Sequence, residues 1–453
     1  MPRIQKVLTS GNLAQKSTSK ENSALIKCHS GRTYLFSTKQ VNVMEFDQKM
    51  YPVHFFRAGW LLACLLTTAT QADIGPALSG ITARADDAST VFWSPAGITR
   101  LDQPELMTQA TLVAMESKFN VKQSNVNGGN ANYDSSILLV PGIYYAHPLN
   151  ERWSVGASLT IPSGFGNEYG KSWSGRYLSE ESDLTFALLT GTVGYKLTEQ
   201  WSIGGGPMLM YTDSMTKARI NNPVGGDGKV KLEEDGTAFG WQLGLMYDIS
   251  NTTRIGAVYR SEFDPDLSGK PKFKNLDPIL QDALIAAGLF NQNVDVDFKV
   301  PQQVQVGYYQ EFKEDWSFTV DALWLDMSEF GIEHVSVGAD HVSLPSEFKD
   351  TWAFTAGLRY QYRPDLAFSV GAAHTSSPAS KSKRAIALPL DRIIAVGAGV
   401  EWQWRDYLIH TSLNYADFGD NKLDQDGGLA GRIKGSFDYN HAVILDMQII
   451  KKF

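Results

Sequence analysis

Histidine stands two residues before serine at His341/Ser343, His374/Ser376 and His410/Ser412. Residues two apart on a β-strand share a face, so each pair could set a base beside a nucleophile, as ester hydrolysis requires. Serine is common enough for chance to produce such pairs, and nothing nearby marks a third group to orient the histidine. The chain has no HExxH, no GxSxG, no phosphate-binding loop and no dinucleotide fingerprint. Two other features bear charge in suggestive places. Asp86 and Asp87 are adjacent carboxylates in a stretch of small residues. Arg176, in "WSGRY", offers a guanidinium of the kind that holds both oxygens of a carboxylate, although Glu180 and Asp183 are equally available to it as ion-pair partners.

The elements that must position these groups are strands. The run "TAFGWQLGLMYD" sets Phe239, Trp241, Leu243, Leu245 and Tyr247 on one face and Gly240, Gln242, Gly244 and Asp248 on the other. "DTWAFTAGLRYQY" and "IIAVGAGVEWQW" repeat the partition, apolar against small or polar. Short turns such as "PLNERW", "LTEQW", "FKEDW" and "YRPD" alternate with long loops rich in Gly, Asn, Ser and Asp, at 164–182, 264–293, 331–348 and 420–431. Rings gather beside the short turns, at Trp153, Trp201, Trp316, Tyr360, Trp402 and Tyr407. Such rings suit a membrane interface, and short turns on one rim with long loops on the other describe an up-and-down transmembrane barrel. The runs number about fourteen, an even count as expected of an outer-membrane barrel. The sequence ends on Phe453 within one of them, with Val443, Leu445, Met447 and Ile449 on the same oily face; a soluble core would leave that placement unexplained.

Nowhere do about 20 apolar residues run together, so a helical span is excluded. "FRAGWLLACLLTTATQA" has Arg57 before a short apolar core and small residues up to Ala72, the form of a secretory signal cut after Ala72. The expected organisation is therefore a misassigned upstream extension over 1–49, with Met44 or Met50 as the true start, a signal peptide over 50–72, a distinct segment over 73–102 and a barrel over 103–453. Cys28 and Cys64 both precede the cut, which excludes disulfides and thiolate metal sites from the chain beyond residue 72. Of the 41 Lys/Arg and 49 Asp/Glu, nine and three precede residue 73, so the remainder carries a net charge near −14 and is a poor partner for nucleic acid.

Residues 73–102 hold no strand of useful length, and here the sequence resembles the FadL-type channels for long-chain fatty acids and aromatic hydrocarbons. The resemblance is carried by "ADDAST" (Ala85–Thr90), by "SPAG" (Ser94–Gly97, with Ser94 where the family has Asn, followed by Pro95), by "WSGRYLSEESDL", by "VPQQVQVGYYQEF" with "WLDMSEF", and by Ser377–Pro378 ahead of "LPLDR", all in the family's order. It implies an all-β, antiparallel barrel of fourteen strands in the outer membrane of a Gram-negative bacterium, with 73–102 folded into the lumen as a plug. It further implies a monomer without cofactor or metal, surrounded by outer-membrane lipid and lipopolysaccharide. A hydrophobic ligand would bind among the outer loops, enter a lumen pocket and leave through the wall beside an inward kink in the third strand. Phe453 is similar to the terminal aromatic that such barrels present to the barrel-assembly machinery.

Local chemistry agrees with these expectations. In the third strand Pro162 cannot donate to a ladder, and Gly164 and Gly166 tolerate unusual torsions, so a break is expected there. In the loop "NLDPILQDALIAAGLF", Asp277 suits an N-cap, Pro278 the first helical position and Gly288 the end, with Leu280 and Leu284 on the oily side of an amphipathic helix that could receive an acyl chain. Asp86 and Asp87 should anchor the plug to a lumen face that offers Arg359. No energy-coupling segment is evident near residue 73, so transport should follow the ligand gradient. The alternatives are an esterase barrel and a general porin.

Overall fold

The computed structural model describes residues 25–27, 33–35 and 81–453, except 133, 338–339, 344–347, 381–383, 385 and 387–390. The proposed signal peptide and the first residues of the plug, 73–80, lie outside that set. The chain divides into two units, Met1–Lys49 and Met50–Phe453. In the first, Leu25–Lys27 pairs antiparallel with Thr33–Leu35.

The second unit is a closed barrel of fourteen antiparallel strands. They are β1 (Glu105–Ser124), β2 (Asp134–Pro148), β3 (Trp153–Glu168), β4 (Glu181–Lys196), β5 (Trp201–Ile220), β6 (Gly228–Ser250) and β7 (Thr253–Arg260), followed by β8 (Gln303–Glu311), β9 (Trp316–Leu325), β10 (Thr351–Arg363), β11 (Leu366–Thr375), β12 (Ile393–Trp404), β13 (Tyr407–Asp417) and β14 (Arg432–Lys452). Each pairs with its neighbours in sequence, and β14 returns to β1 in register from Ile433↔Ser124 to Lys452↔Glu105. Closure removes the two free edges that an open sheet would have, the condition for crossing a bilayer with strands. The alternation read from sequence holds. Phe239, Trp241, Leu243, Leu245, Val396 and Leu445 stand exposed on the outside, while Ala238, Gln242, Met246 and Asp446 are buried within.

At one rim the strands join through tight turns built by side chains. Asn150 Oδ1 accepts from the backbone N–H of Arg152 and Trp153, and Thr198 Oγ1 does the same for Gln200 and Trp201. Those turns set rings opposite rings on neighbouring strands: Trp153 on Tyr195 at 4.5 Å, Trp201 on Tyr247 at 4.3 Å and Trp316 on Tyr360 at 4.6 Å. The result is an aromatic girdle at one depth.

At the other rim the wall continues as sheet beyond what alternation suggested. Asp266–Gly269 and Lys272–Lys274 pair with the upper part of β6, Val294–Lys299 pairs with Asp266–Gly269, Gly331–Val337 with Val294–Lys299, and Asp340–Ser343 with Gly331–Val337. The loop helix forms as expected over Pro278–Ala286; Asp277 Oδ1 accepts from Ile279 N, and Gly288 takes φ +68° just beyond its end.

Inside the barrel, α1 (Ile81–Arg84), α2 (Thr90–Trp93) and a 3-10 turn (Gly97–Arg100) form the plug, with Val91, Phe92, Trp93, Ala96 and Ile98 buried. With no Cβ on the wall, the plug's backbone comes close: a Cβ at Gly204 would strike the Pro95 carbonyl, and one at Gly244 would lie 2.7 Å from Pro95 Cγ. Pro95 therefore marks the plug's seat on β5 and β6.

Candidate functional site

Arginines of β7 hold the plug from the wall. Arg254 Nε donates to the Ala83 carbonyl at the end of α1 (2.6 Å) and stacks on Tyr309, 4.0 Å from its ring centre. Arg260 Nη2 donates to the Phe92 carbonyl of α2 (2.6 Å), with its guanidinium 4.4 Å from the Phe92 ring centre. Between them, Thr192 Oγ1 and Gln242 Nε2 both donate to the Val91 carbonyl at 2.7 Å. Carbonyls at a helix end lack intrahelical donors and carry partial negative charge, so a guanidinium is a suitable partner. On the sequence these residues gave no signal beyond two arginines six apart on the inner face of "TRIGAVYR".

The expected carboxylate anchors divide their work. Asp86 pairs with Arg84 of the plug itself at 2.7 Å, and Arg84 reaches Glu401 of β12 at 2.7 Å, which in turn binds Arg359 of β10 at 2.7 Å. Arg359 thus joins the network as anticipated, but Glu401, not Asp86, is its partner. Asp87 Oδ1 accepts from Ser89 N (2.8 Å), shaping the turn into α2. Ser94 donates its hydroxyl to the Thr82 carbonyl (2.8 Å), so the residue standing in place of Asn still ties α1 to the turn after α2. Arg84, Asp86, Asp87, His410 and Gln448 line a small polar cavity between plug and wall.

Arg176 is engaged within the loops. Its Nε donates to Asp227 Oδ2 (2.6 Å), Nη1 to the Asn127 carbonyl (2.5 Å) and Nη2 to the Tyr177 hydroxyl (2.9 Å). Burial opposes its charge, but its hydrogen bonds to Asp227 and Tyr177 and their electrostatic attraction together outweigh that and hold its pKa above the ordinary value. A ligand carboxylate would have to displace these partners. Glu180, a partner expected from sequence, is occupied by Arg219 and by Lys229. Leu280 and Leu284 are half-buried, Leu284 against the apolar core of the loops, while Ile279 and Ile285 on the same helix are exposed.

The wall is broken between β2 and β3. Their ladder ends at Gly142↔Thr160, although β2 remains paired to β1 up to Asp134 and β3 to β4 up to Glu168. The β3–β4 register shifts between Thr160 and Ser163, a bulge at Ile161–Pro162. Had the ladder continued, Pro141 of β2 would face Ile161 and Val140 would face Pro162, so two residues without an N–H meet where pairing stops. Gly164 and Gly166 follow, paired to Thr185 and Asp183 of β4. On β2 beside the gap Ile137, Leu138 and Leu139 are 78%, 39% and 57% exposed, so both faces of the strand are open there.

Neither of the two described His-x-Ser pairs assembles a catalytic unit. His410 and Ser412 share the inner face, yet His410 Nε2 has no hydrogen-bond partner and Ser412 Oγ accepts from Asn414. His374 is exposed on the outer face and Ser376 Oγ accepts from Trp352 N. The side chains of His341 and Ser343 lie outside the described set. Among the described residues no His, Cys, Asp and Glu cluster could hold a metal.

Residues 60–453 match the family described as "Outer membrane protein transport protein (OMPP1/FadL/TodX)". The chain is 25% identical to a long-chain fatty acid transport protein of Escherichia coli O6:H1 over 384 residues, 77% of this chain and 84% of the relative. It is 26% identical to a 47 kDa outer membrane protein of Pasteurella multocida, over 70% of this chain and 78% of the relative. In fold it is similar to a FadL homologue of Pseudomonas aeruginosa (TM-score 0.77, 17% identity, 84% of this chain and 98% of that one). It is also similar to the toluene transporter TodX of Pseudomonas putida (TM-score 0.61, 17% identity, 83% and 98%). A plugged fourteen-stranded barrel matched along nearly its whole length places this chain in the OMPP1/FadL/TodX family of outer-membrane transport proteins.

Proposed function

We propose that the protein takes up long-chain fatty acids or similar hydrophobic compounds through the outer membrane, without energy input, and releases them sideways into the bilayer between β2 and β3. The observation that carries the route is the ended ladder at Gly142↔Thr160, with apolar Ile137, Leu138 and Leu139 at its margin. An opening through the wall lets an apolar solute avoid the aqueous side of the lipopolysaccharide layer and pass from lumen to acyl chains without crossing water. The cargo class is supported by relatives named for long-chain fatty acids and for toluene. Capture begins at the loop helix, where Leu280 is half-buried and Leu284 packs against the loop core, and the plug closes the lumen toward the short-turn rim until its anchors yield.

The test repairs the wall. Deleting Ile161 and replacing Pro141 and Pro162 by Val removes the bulge and restores the missing donors. Uptake of labelled oleate by cells should fall at least about tenfold, as expected for a blocked path, while heat-modifiable migration shows a folded barrel. Uptake at the wild-type rate through a repaired wall would place the exit elsewhere.

A further inference from the structure

Above the lipid-facing band, two wall strands and one loop strand set six cations in register on the outer surface. Lys217 and Arg219 of β5 lie directly opposite Lys231 and Lys229 of β6, and these lie opposite Lys272 and Lys274 of the loop strand. Residues opposed in an antiparallel ladder share a face, and this face is the outer one. Ala218, Ile220, Leu232 and Glu234, which alternate with the cations, are buried, whereas Tyr211, Phe239 and Trp241, in phase with them, stand exposed. Three carboxylates answer the six cations. Glu181 pairs with Lys217 at 2.5 Å, Glu180 is shared by Arg219 and Lys229, and Glu233 is shared by Lys231 and Lys272. Lys274 has no acidic partner among the described residues.

Like charges directly opposite one another repel, so rows three cations wide are unfavourable until anions lie between them. The chain is acidic beyond residue 72, so composition does not account for this concentration. Its height identifies the anion. From the girdle at Tyr247, ten positions along β6 lead to Thr237, which faces Tyr211. At about 3.4 Å per residue and about 40° of tilt this spans about 25 Å, the height of the apolar band. Lys231 and Lys229 follow six and eight positions later, about 15–20 Å beyond that band on the long-loop side, which faces outward. Between them and the lipid, Asp213 and Asp235 oppose each other across the ladder and would repel the phosphates of lipid A at the acyl-chain boundary. The anions at the height of the cations are the phosphates on the inner-core sugars of lipopolysaccharide, each able to accept charged hydrogen bonds from several lysines. We propose that Lys217, Arg219, Lys229, Lys231, Lys272 and Lys274 form a docking surface for the phosphorylated inner core of lipopolysaccharide. The assignment follows from the outer-membrane location and holds whatever the cargo.

Protein purified from outer membranes and stripped of bound lipid is titrated in detergent micelles with two fluorescent lipopolysaccharides, one with a phosphorylated heptose core and one with the same lipid A but no heptose. In low salt wild type should bind the heptose form about tenfold more tightly, and about 0.5 M NaCl should bring the two within about threefold. Lys229→Gln/Lys231→Gln/Lys272→Gln/Lys274→Gln should bind the two alike, by losing affinity for the heptose form alone, with heat-modifiable migration unchanged. Arg at the same four positions, keeping the charge, should keep the preference. Equal affinities in wild type, a preference that salt does not weaken, or one that survives the Gln substitutions in a folded barrel would overturn the site. An equal loss for both forms in the Gln variant would also overturn it, by assigning the cations to lipid A. The salt dependence needs no variant and decides the matter if the Gln protein does not fold.

Discussion

At the scale of single residues, the plug is held chiefly by guanidinium and amide donors aimed at helix-end carbonyls. Hydrogen bonds to charged groups contribute roughly 1.5–3 kcal/mol each, so Arg254 and Arg260, which bond across to the plug from the wall, rank above Asp86 and Asp87, whose bonds lie within the plug. Planar-bilayer recordings of Arg254→Met/Arg260→Met should show a raised closed-state conductance to small ions with normal assembly; Asp86→Ala/Asp87→Ala should raise it less, by freeing Arg84 and loosening the turn into α2. A double-arginine variant as tight as wild type would show that the plug is held by other contacts. In the loops, Arg176 and Asp227 act as a pair. Arg176→Ala and Asp227→Asn should therefore depress uptake of palmitate and of its methyl ester to similar extents; a loss confined to the acid would restore a direct role for Arg176 in carboxylate binding. The carboxylates were visible in the sequence because acidic residues among small ones stand out. The arginines were not, because a guanidinium that serves backbone carbonyls has no partner residue type to search for.

At the scale of elements, the wall strands were legible because one face meets lipid and the other a packed lumen, which forces a period of two. The loop helix was legible through Asp277, Pro278 and Gly288. Pro162 marked the break in β3, but its counterpart Pro141 on β2 sits in the run "LLVPGIYY", where only knowledge of register shows that the two prolines adjoin. The loop strands from Asp266 to Lys299 carry little sequence signal, since they are short; two pair with the upper end of β6, and Val294–Lys299 pairs with Asp266–Gly269 and Gly331–Val337. The last strand is an element with a specific liability. Lys452 pairs with Glu105, a carboxyl 1% exposed, and Phe453 N donates to the Pro104 carbonyl, so the chain end finishes the β14–β1 seam. Deleting Lys451–Phe453 should leave Glu105 buried without its cation and the seam open in lipid, and membrane fractions should contain little heat-modifiable protein. Folded barrel at normal yield after the deletion would contradict that role.

At the scale of the whole molecule, the barrel combines a plugged lumen, an apolar upper half bounded by loop strands, and a wall that stops pairing at one seam. A general porin needs an open aqueous lumen, which the buried plug denies. Along the proposed route, an apolar path with a lateral exit, the cargo moves down its own gradient. The most direct measurement is the initial rate of labelled oleate uptake in a Gram-negative host that lacks its own fatty-acid channel, with and without this protein in the outer membrane. Saturable uptake well above the empty host is expected, with no gain in permeability to small hydrophilic solutes. Folded protein at normal yield with uptake no faster than the empty host, for fatty acid, alcohol and aromatic hydrocarbon alike, would contradict a channel for hydrophobic compounds.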